Sequence, residues 1–308
     1  MRALEETLRQ IFPLDSVAET TCRTRLAATP SASPDVVEAA ARLSGIYRGK
    51  AEPRGLALAL FTAEHGIAVK RETPCSNISG KTSQHIELST YLVDMRSEAQ
   101  SAPPGTRVLR RPMAAATHDI GRGPAMSIAA ARQSVENGIS LADELREYPI
   151  LAIGCESVGV AYVTCAICAR LLGAYQASEL PNDARADWVS DILSTACDGK
   201  TGLELLAAVG GFDLGGAAGL MLALAARRRA ILLTDFASSA AAMIAIKLEP
   251  FVRDYLFTVA AQCPLHLRAL TWLGTRPLAP FVGDYTESLS EAVAALTAAS
   301  RLIEDDRA

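Results

Sequence analysis

The sequence predicts an α/β protein: a doubly wound, mostly parallel sheet, with a small helical lobe formed by both chain termini. Three observations carry this. Residues 56–61 are an unbroken apolar run bounded by turn residues, as a strand buried on both faces requires. Further strand candidates at 107–109, 150–153 and 230–233 are separated by helical stretches, the alternation that produces parallel strands with crossover helices. Both chain ends read as helix, which sets residues 1–48 and 286–308 apart as the lobe and 49–285 as the α/β domain.

Taken in order, Leu4, Leu8, Ile11 and Phe12 share one face of a helix over residues 1–12, with Glu5, Glu6 and Arg9 opposite. A secretory signal has no such alternation. Ser33 has the place of an N-cap with Pro34 in the first turn, and Val36, Val37, Ala40 and Leu43 form the buried stripe of a helix ended by Gly45. Ser127 is expected to cap a helix running through Val135. Residues 214–226 and 236–246 are apolar throughout and read as buried helices, well short of the ~20 residues a membrane span needs. Near the end, Ser288 and Glu291 have capping-box spacing, and Leu289, Val293, Leu296 and Ile303 share a face.

At 308 residues the chain is long enough to bury a large α/β core with a small appendage. Its 30 basic and 34 acidic residues leave a net charge of −4, which gives no electrostatic basis for holding nucleic acid. Seven scattered cysteines without an export signal are expected as reduced thiols in a cytoplasmic protein. Cys165-Ala-Ile-Cys168 has a redox or zinc spacing, but it lies in an apolar helical run with no second Cys or His pair nearby. Two small buried hydrophobes are the better reading.

Open α/β sheets bind ligands outside the carboxyl ends of their strands, and several polar clusters fall there. Glu64-His65-Gly66 follows the first strand. Gly154-Cys155-Glu156-Ser157-Val158-Gly159 follows the strand at 150–153 and leads into a helix containing Thr164. A strand, a glycine turn and a helix N-terminus make an anion site from free N–H groups and the helix dipole. Gly210-Gly211-Phe212-Asp213 opens another helix, and Asp235 stands just past the strand at 230–233. Each has a plain alternative: a capping acid for Glu64 or Asp284, a satisfied structural histidine for His65. Gly80-Lys81-Thr82 has the ending of a P-loop, but the required first glycine falls at Cys75, so an ATPase is rejected.

The segment 209–245, beginning Val-Gly-Gly-Phe-Asp-Leu-Gly-Gly-Ala-Ala-Gly, resembles the V-G-G-F-E-I-A…A-G…L-A-A-A-R…V-L-D-G-F text of the nicotinate-nucleotide–dimethylbenzimidazole phosphoribosyltransferases of cobalamin assembly. Glu64-His65-Gly66 is similar to that family's D-H-G, and residues 118–127 to its R-G-T-x-x-x-x-G-P-A-M-T, with Gly123-Pro-Ala-Met126 intact. Residues 82–85 resemble V-T-x-Q-M, residues 154–164 G-E-M-G-I-G-N-T-T, and residues 278–287 P-L-L-x-L-x-x-R-L-G-E-G-T-G-A. The chain departs from the pattern in places. Ala161, Tyr162 and Val163 replace Gly, Asn and Thr of the phosphate loop, which removes donors and adds bulk. Thr258-Val-Ala-Ala-Gln-Cys263 replaces S-H-x-S-x-E ahead of His266, and a family lysine upstream of V-G-G-F has no counterpart.

The resemblance implies a Rossmann-like, nucleotide-binding domain over 49–285, a homodimer, and small-molecule substrates, with neither nucleic acid nor membrane as partner. It implies transfer of the phosphoribosyl group of nicotinate mononucleotide to an aromatic base such as 5,6-dimethylbenzimidazole, releasing nicotinate, with no metal or organic cofactor. Asp284, in place of the family's glutamate, would be the base, and Glu156 a second catalytic carboxylate near the ribose. Glu64, His65, Gln84, Gly154, Gly159, Thr164, Gly210, Gly211, Asp213 and Asp235 would bind substrate. Two alternatives stay open: an impaired partner subunit of a complete paralogue, or a nucleotide-binding module without turnover. The acceptor base is not fixed by the sequence.

Overall fold

The computed structural model describes residues 3–27, 33–50, 55–69, 88–99, 102, 104–113, 116–182, 184–195, 201–278 and 285–305. Its frame is a six-stranded sheet of β1 (Leu56–Thr62), β2 (Ser89–Asp94), β3 (Arg107–Arg110), β4 (Ile150–Cys155), β5 (Ala230–Leu233) and β6 (Leu256–Thr258). The strand order is β3-β2-β1-β4-β5-β6 and every pairing is parallel. The chain therefore winds outward from β1 in one direction, returns to place β4 beside β1, and winds outward in the other. Outside the carboxyl ends of β1 and β4 this reversal opens a crevice, the usual ligand position in such sheets.

The expected strands at 56–61, 107–109, 150–153 and 230–233 are all present, the first three extended by one or two residues. β4 and β5 are buried along their whole length. The sequence reading lacks β2 and β6. β6 has three residues, too few for any period, and β2 begins and ends in polar residues around Tyr91-Leu92-Val93.

The helices are α1 (Ala3–Leu8), α2 (Ser16–Leu26), α3 (Pro34–Ile46), α4 (Gly66–Val69), α5 (Ile128–Glu144), α6 (Val160–Leu172), α7 (Ala186–Thr195), α8 (Gly202–Val209), α9 (Phe212–Ala226), α10 (Phe236–Leu248), α11 (Pro264–Leu273) and α12 (Tyr285–Asp305). Ser33 and Ser127 cap α3 and α5, their Oγ atoms accepting from Val36 N at 3.4 Å and Ala130 N at 3.1 Å. α9 and α10 are buried on nearly every side, which is why their sequences carry no polar face. Cys165 and Cys168 are core residues of α6, with Cys168 Sγ 3.8 Å from Met243 Sδ. Among the described residues no helix is long and apolar enough to cross a membrane.

Three helix ends differ from the sequence expectation. α1 stops at Leu8, so the periodicity does not carry to Phe12, which is 56% exposed although Ile11 is buried. Gly45 lies inside α3, which continues to Ile46; a glycine is used there because α2 approaches, with Asp15 N donating to Gly45 O at 2.9 Å. α12 begins at Tyr285, which places Ser288 within its first turn as a buried residue rather than as a cap. The stripe of Leu289, Leu296 and Ile303 is buried. α2 and α12 pack on α3, whereas α1 packs on α5 and α9.

α5 and α9 pack backbone against backbone. A β-carbon at Gly219 would overlap the Val135 carbonyl, and one at Gly138 the carbonyl of Gly216. Helix propensity alone favours alanine over glycine by ~1 kcal/mol, so the sign of the effect is diagnostic. Gly219→Ala is expected to destabilise the protein by roughly 1–3 kcal/mol, as forced overpacking does. Thermal unfolding checks this, and an unchanged or raised Tm would contradict the close approach.

Candidate active site

Asp213 lies in the first turn of α9, at the carboxyl edge of the sheet, with no side-chain exposure. Its Oδ2 accepts from His65 Nε2 at 3.0 Å and from Ser157 Oγ at 2.6 Å, and its Oδ1 from Leu214 N at 2.8 Å. Burial alone would push this carboxyl up. The electrostatic interaction with His65 and the three hydrogen bonds outweigh burial and hold it below the usual carboxylate value. His65 comes from the loop after β1 and Ser157 from the loop after β4. One carboxylate thus ties together the two loops that flank the crevice. Ser157 Oγ also accepts from Ala63 N at 2.9 Å, and Glu156 N donates to Phe61 O at 2.8 Å, closing the same junction through the backbone.

Gly211 explains how this pair fits. It is the N-cap of α9, and a β-carbon there would overlap His65 Cε1 and Asp213 Oδ1. Gly210 ends α8 immediately before it. The Gly-Pro-Ala-Met stretch braces this turn from outside: Ala125 N and Met126 N each donate at 3.0 Å to Ala208 O and Ala207 O of α8.

A second buried carboxylate, Asp235, stands after β5. Its Oδ1 accepts from Ser238 N at 2.6 Å, which caps α10, and its Oδ2 from Cys155 N at 3.0 Å at the end of β4. Here burial dominates over those hydrogen bonds, and the carboxyl is pushed up to about 6. Beside it a cleft of about 110 Å³ is lined by Glu156, Ser157, Val160, Ala161, Thr164, Phe236 and Gln262, among others. It opens over the N-terminus of α6, which Gly159 starts in a left-handed conformation at φ 88°. Thr164 Oγ1 is buried and has no hydrogen-bond partner among the described residues.

Of the residues singled out from sequence, the structure gathers His65, Gly211 and Asp213 at one side of the crevice and Gly154, Glu156, Gly159, Thr164 and Asp235 at the other. Gly154 lies in β4, where a β-carbon would come within 2.8 Å of Asp235 Oδ2. Glu64 turns aside, its Oε2 accepting from Ser97 Oγ at 2.9 Å. Gln84, Asp284 and Gly80-Lys81-Thr82 lie outside the described residues. Tyr162 and Val163 do not crowd the cleft as their place in the phosphate loop suggests; both are buried, Tyr162 against Trp188 at 5.2 Å, and of the three departures only Ala161 lines it. The sequence reading missed Ser157 and Gln262. An ordinary serine and glutamine carry no signal until the segments they bond to are seen beside them.

The two aspartates make opposite contributions to pH dependence. Asp213, held low, stabilises the fold above the ordinary carboxylate range and loses that contribution as pH falls. Asp235, held high, binds its proton more tightly folded than unfolded, so its contribution is full below about pH 4 and is lost as pH rises through about 6. Relative to Asp235→Asn, the parent should therefore lose roughly 2 kcal/mol between pH 4 and 7. Denaturant unfolding of both proteins across that range measures the difference, and parallel profiles would contradict the assignment.

A sequence model of a family described as Phosphoribosyltransferase matches residues 78–303. The nicotinate-nucleotide–dimethylbenzimidazole phosphoribosyltransferase of Desulfotalea psychrophila is 31% identical to this chain, covering 90% of it and 88% of the relative. The protein of the same name from a Roseiflexus species is also 31% identical, covering 83% and 81%. In a crystal structure, the protein of that name from Thermus thermophilus shares the fold, with a TM-score of 0.77 at 24% identity over 94% of this chain and 96% of that one. The chain belongs to this phosphoribosyltransferase family.

Proposed function

We propose that this protein transfers the phosphoribosyl group of nicotinate mononucleotide to 5,6-dimethylbenzimidazole, forming α-ribazole phosphate and releasing nicotinate. The observation that carries the reading is the likeness over 90% of the chain to a relative bearing that activity in its name. Its support in the geometry is a crevice at the sheet's reversal point, with buried carboxylates on both sides and a helix N-terminus beneath the cleft.

In this reading the bond from the ribose anomeric carbon to the pyridinium nitrogen breaks as a ring nitrogen of the acceptor forms the new one. The departing ring already carries positive charge, so it leaves as neutral pyridine nitrogen without needing a proton. The acceptor must lose its N–H proton to a base, a step typically worth 10²–10⁴-fold. Asp284 is assigned this role by its place in the sequence. Glu156, lining the cleft, stands near the ribose, where a carboxylate favours positive charge developing at the anomeric carbon. His65, Asp213 and Ser157 act on the substrate through the loops they hold together. Gly154, Gly159, Gly210 and Gly211 let backbone approach the nucleotide. Thr164 and Asp235 line its cleft, and Gln84 is assigned to the acceptor base by its place in the sequence, while Glu64 would bind substrate only by leaving Ser97.

The reading extends to a cytoplasmic homodimer. The buried thiols of Cys155 and Cys168 suit a reducing compartment. Among the described residues β3 is an edge strand of the sheet, with Val108 41% exposed. α9 and α10 are already buried within the chain and offer no free apolar face for pairing. Sedimentation at micromolar concentration should give twice the mass of one chain, and a monomer would refute the dimer.

Purified protein supplied with nicotinate mononucleotide and 5,6-dimethylbenzimidazole should release nicotinate and form α-ribazole phosphate in equal amounts. Asp284→Ala should lower this rate by roughly 10²–10⁴-fold with the Tm unchanged. Turnover of the alanine variant at the parent rate would place the base elsewhere, and a silent parent protein would refute the transferase reading.

A further inference from the structure

Hydrogen bonding alone settles the orientation of one side chain in the cleft beside β4 and α6. The backbone N–H of Phe236, the first residue of α10, donates to Gln262 Oε1 at 3.1 Å. A backbone N–H meets only the acceptor end of a carboxamide, so Oε1 faces the helix and Nε2, with its two donors, is turned away from it. Gln262 is exposed and lines the cleft together with Glu156, Thr164 and Phe236.

This amide is held on a rigid support. The Phe236 ring stacks on His266 with ring centroids 4.9 Å apart. His266 Nδ1 accepts from Gln262 N at 3.1 Å, so the ring proton is on Nε2, which donates to Ser239 Oγ at 3.0 Å. Burial pushes this imidazole down to about 3, which keeps it neutral and makes it a fixed wall. Both the backbone and the side chain of Gln262 are therefore tied in place before any ligand arrives, and a preorganised donor loses little entropy on binding. Across the cleft, Thr164 Oγ1, buried and without a hydrogen-bond partner among the described residues, offers a second donor, a hydroxyl. Between them the lining contributes the carboxylates of Glu156 and Asp235, so an anionic oxygen is accommodated only where donors outweigh those charges.

We propose that Gln262 is a specificity-determining residue, whose Nε2 amide, with the Thr164 hydroxyl, donates to an anionic oxygen of the ligand bound in this cleft. The inference rests on the phosphoribosyl-transfer reading, in which the donor nucleotide carries two such groups, a phosphate and a ring carboxylate. It goes beyond that reading because Gln262 falls on an unspecified position of the S-H-x-S-x-E pattern, to which the resemblance gives no role.

The test is calorimetric binding to the full chain of nicotinate mononucleotide, nicotinamide mononucleotide, which keeps only the phosphate, and nicotinate riboside, which keeps only the carboxylate. Gln262→Glu retains an oxygen for the Phe236 N–H but replaces the donor with an acceptor and adds a negative charge, so Gln262→Met, which removes the donor without adding charge, is measured beside it. A glutamine that only caps the helix predicts an unchanged Kd in Gln262→Met, which would overturn the proposal. The proposal predicts that Gln262→Glu weakens nicotinate mononucleotide binding by roughly tenfold or more, as expected for loss of a charge-assisted hydrogen bond, with the Tm unaltered. Persistence of the loss with nicotinamide mononucleotide assigns the oxygen to phosphate, and persistence with nicotinate riboside assigns it to the carboxylate. Parental Kd values for all three ligands in Gln262→Glu overturn the proposal while leaving the transferase reading intact. A parent protein that binds none of them overturns both.

Discussion

The buried carboxylate of Asp213 is the constraint on which the crevice depends. Removing a carboxylate from water costs several kcal/mol unless its partners are well placed. Here the partners come from three places: the loop after β1, the loop after β4 and the first turn of α9. Two strands at the reversal point of a sheet have no covalent reason to keep their following loops in register. Asp213 supplies a non-covalent one, because separating either loop from α9 would strip a buried carboxylate of a hydrogen-bond partner. The glycine at 211 is part of the same device, since only a residue without a β-carbon lets His65 come this close to the carboxylate.

Asp235 performs the complementary task on the other side of β4. It joins the end of that strand to the start of α10, and so fixes the cleft wall that Phe236 and Gln262 complete. The two acids occupy equally dry positions but differ in their partners. Asp213 faces the His65 ring and the Ser157 hydroxyl and titrates low, whereas Asp235 faces backbone and hydroxyl donors and titrates high. Opposed environments of this kind are how one fold keeps two carboxyl groups in different protonation states.

Much of the fold is legible in the sequence because parallel strands buried on both faces must be apolar without interruption, which residues 56–61 and 150–153 display. β6 is not legible, since three residues held between β5 and Pro277 depend on neighbours rather than on their own pattern. Glycine misleads at Gly45, where a helix stop and a close helix contact look alike in sequence. At the site, strand-end placement finds His65, Glu156, Asp213 and Asp235, but not which of them meet. Ser157 becomes visible only when Asp213, 56 positions away, is brought against it. Tyr162 and Val163 look like losses from a phosphate loop, yet the turn of α6 directs both into the core and leaves Ala161 and Thr164 at the cleft.

The central claim is that the crevice between the carboxyl ends of β1 and β4 receives the nucleotide. Amide hydrogen exchange, followed by mass spectrometry with and without nicotinate mononucleotide, tests it most directly. If the nucleotide binds there, exchange slows in peptides spanning residues 155–164 and 209–214, with the outer strand β3 unchanged. Slowing confined to other segments, with these two peptides unaffected, would contradict it.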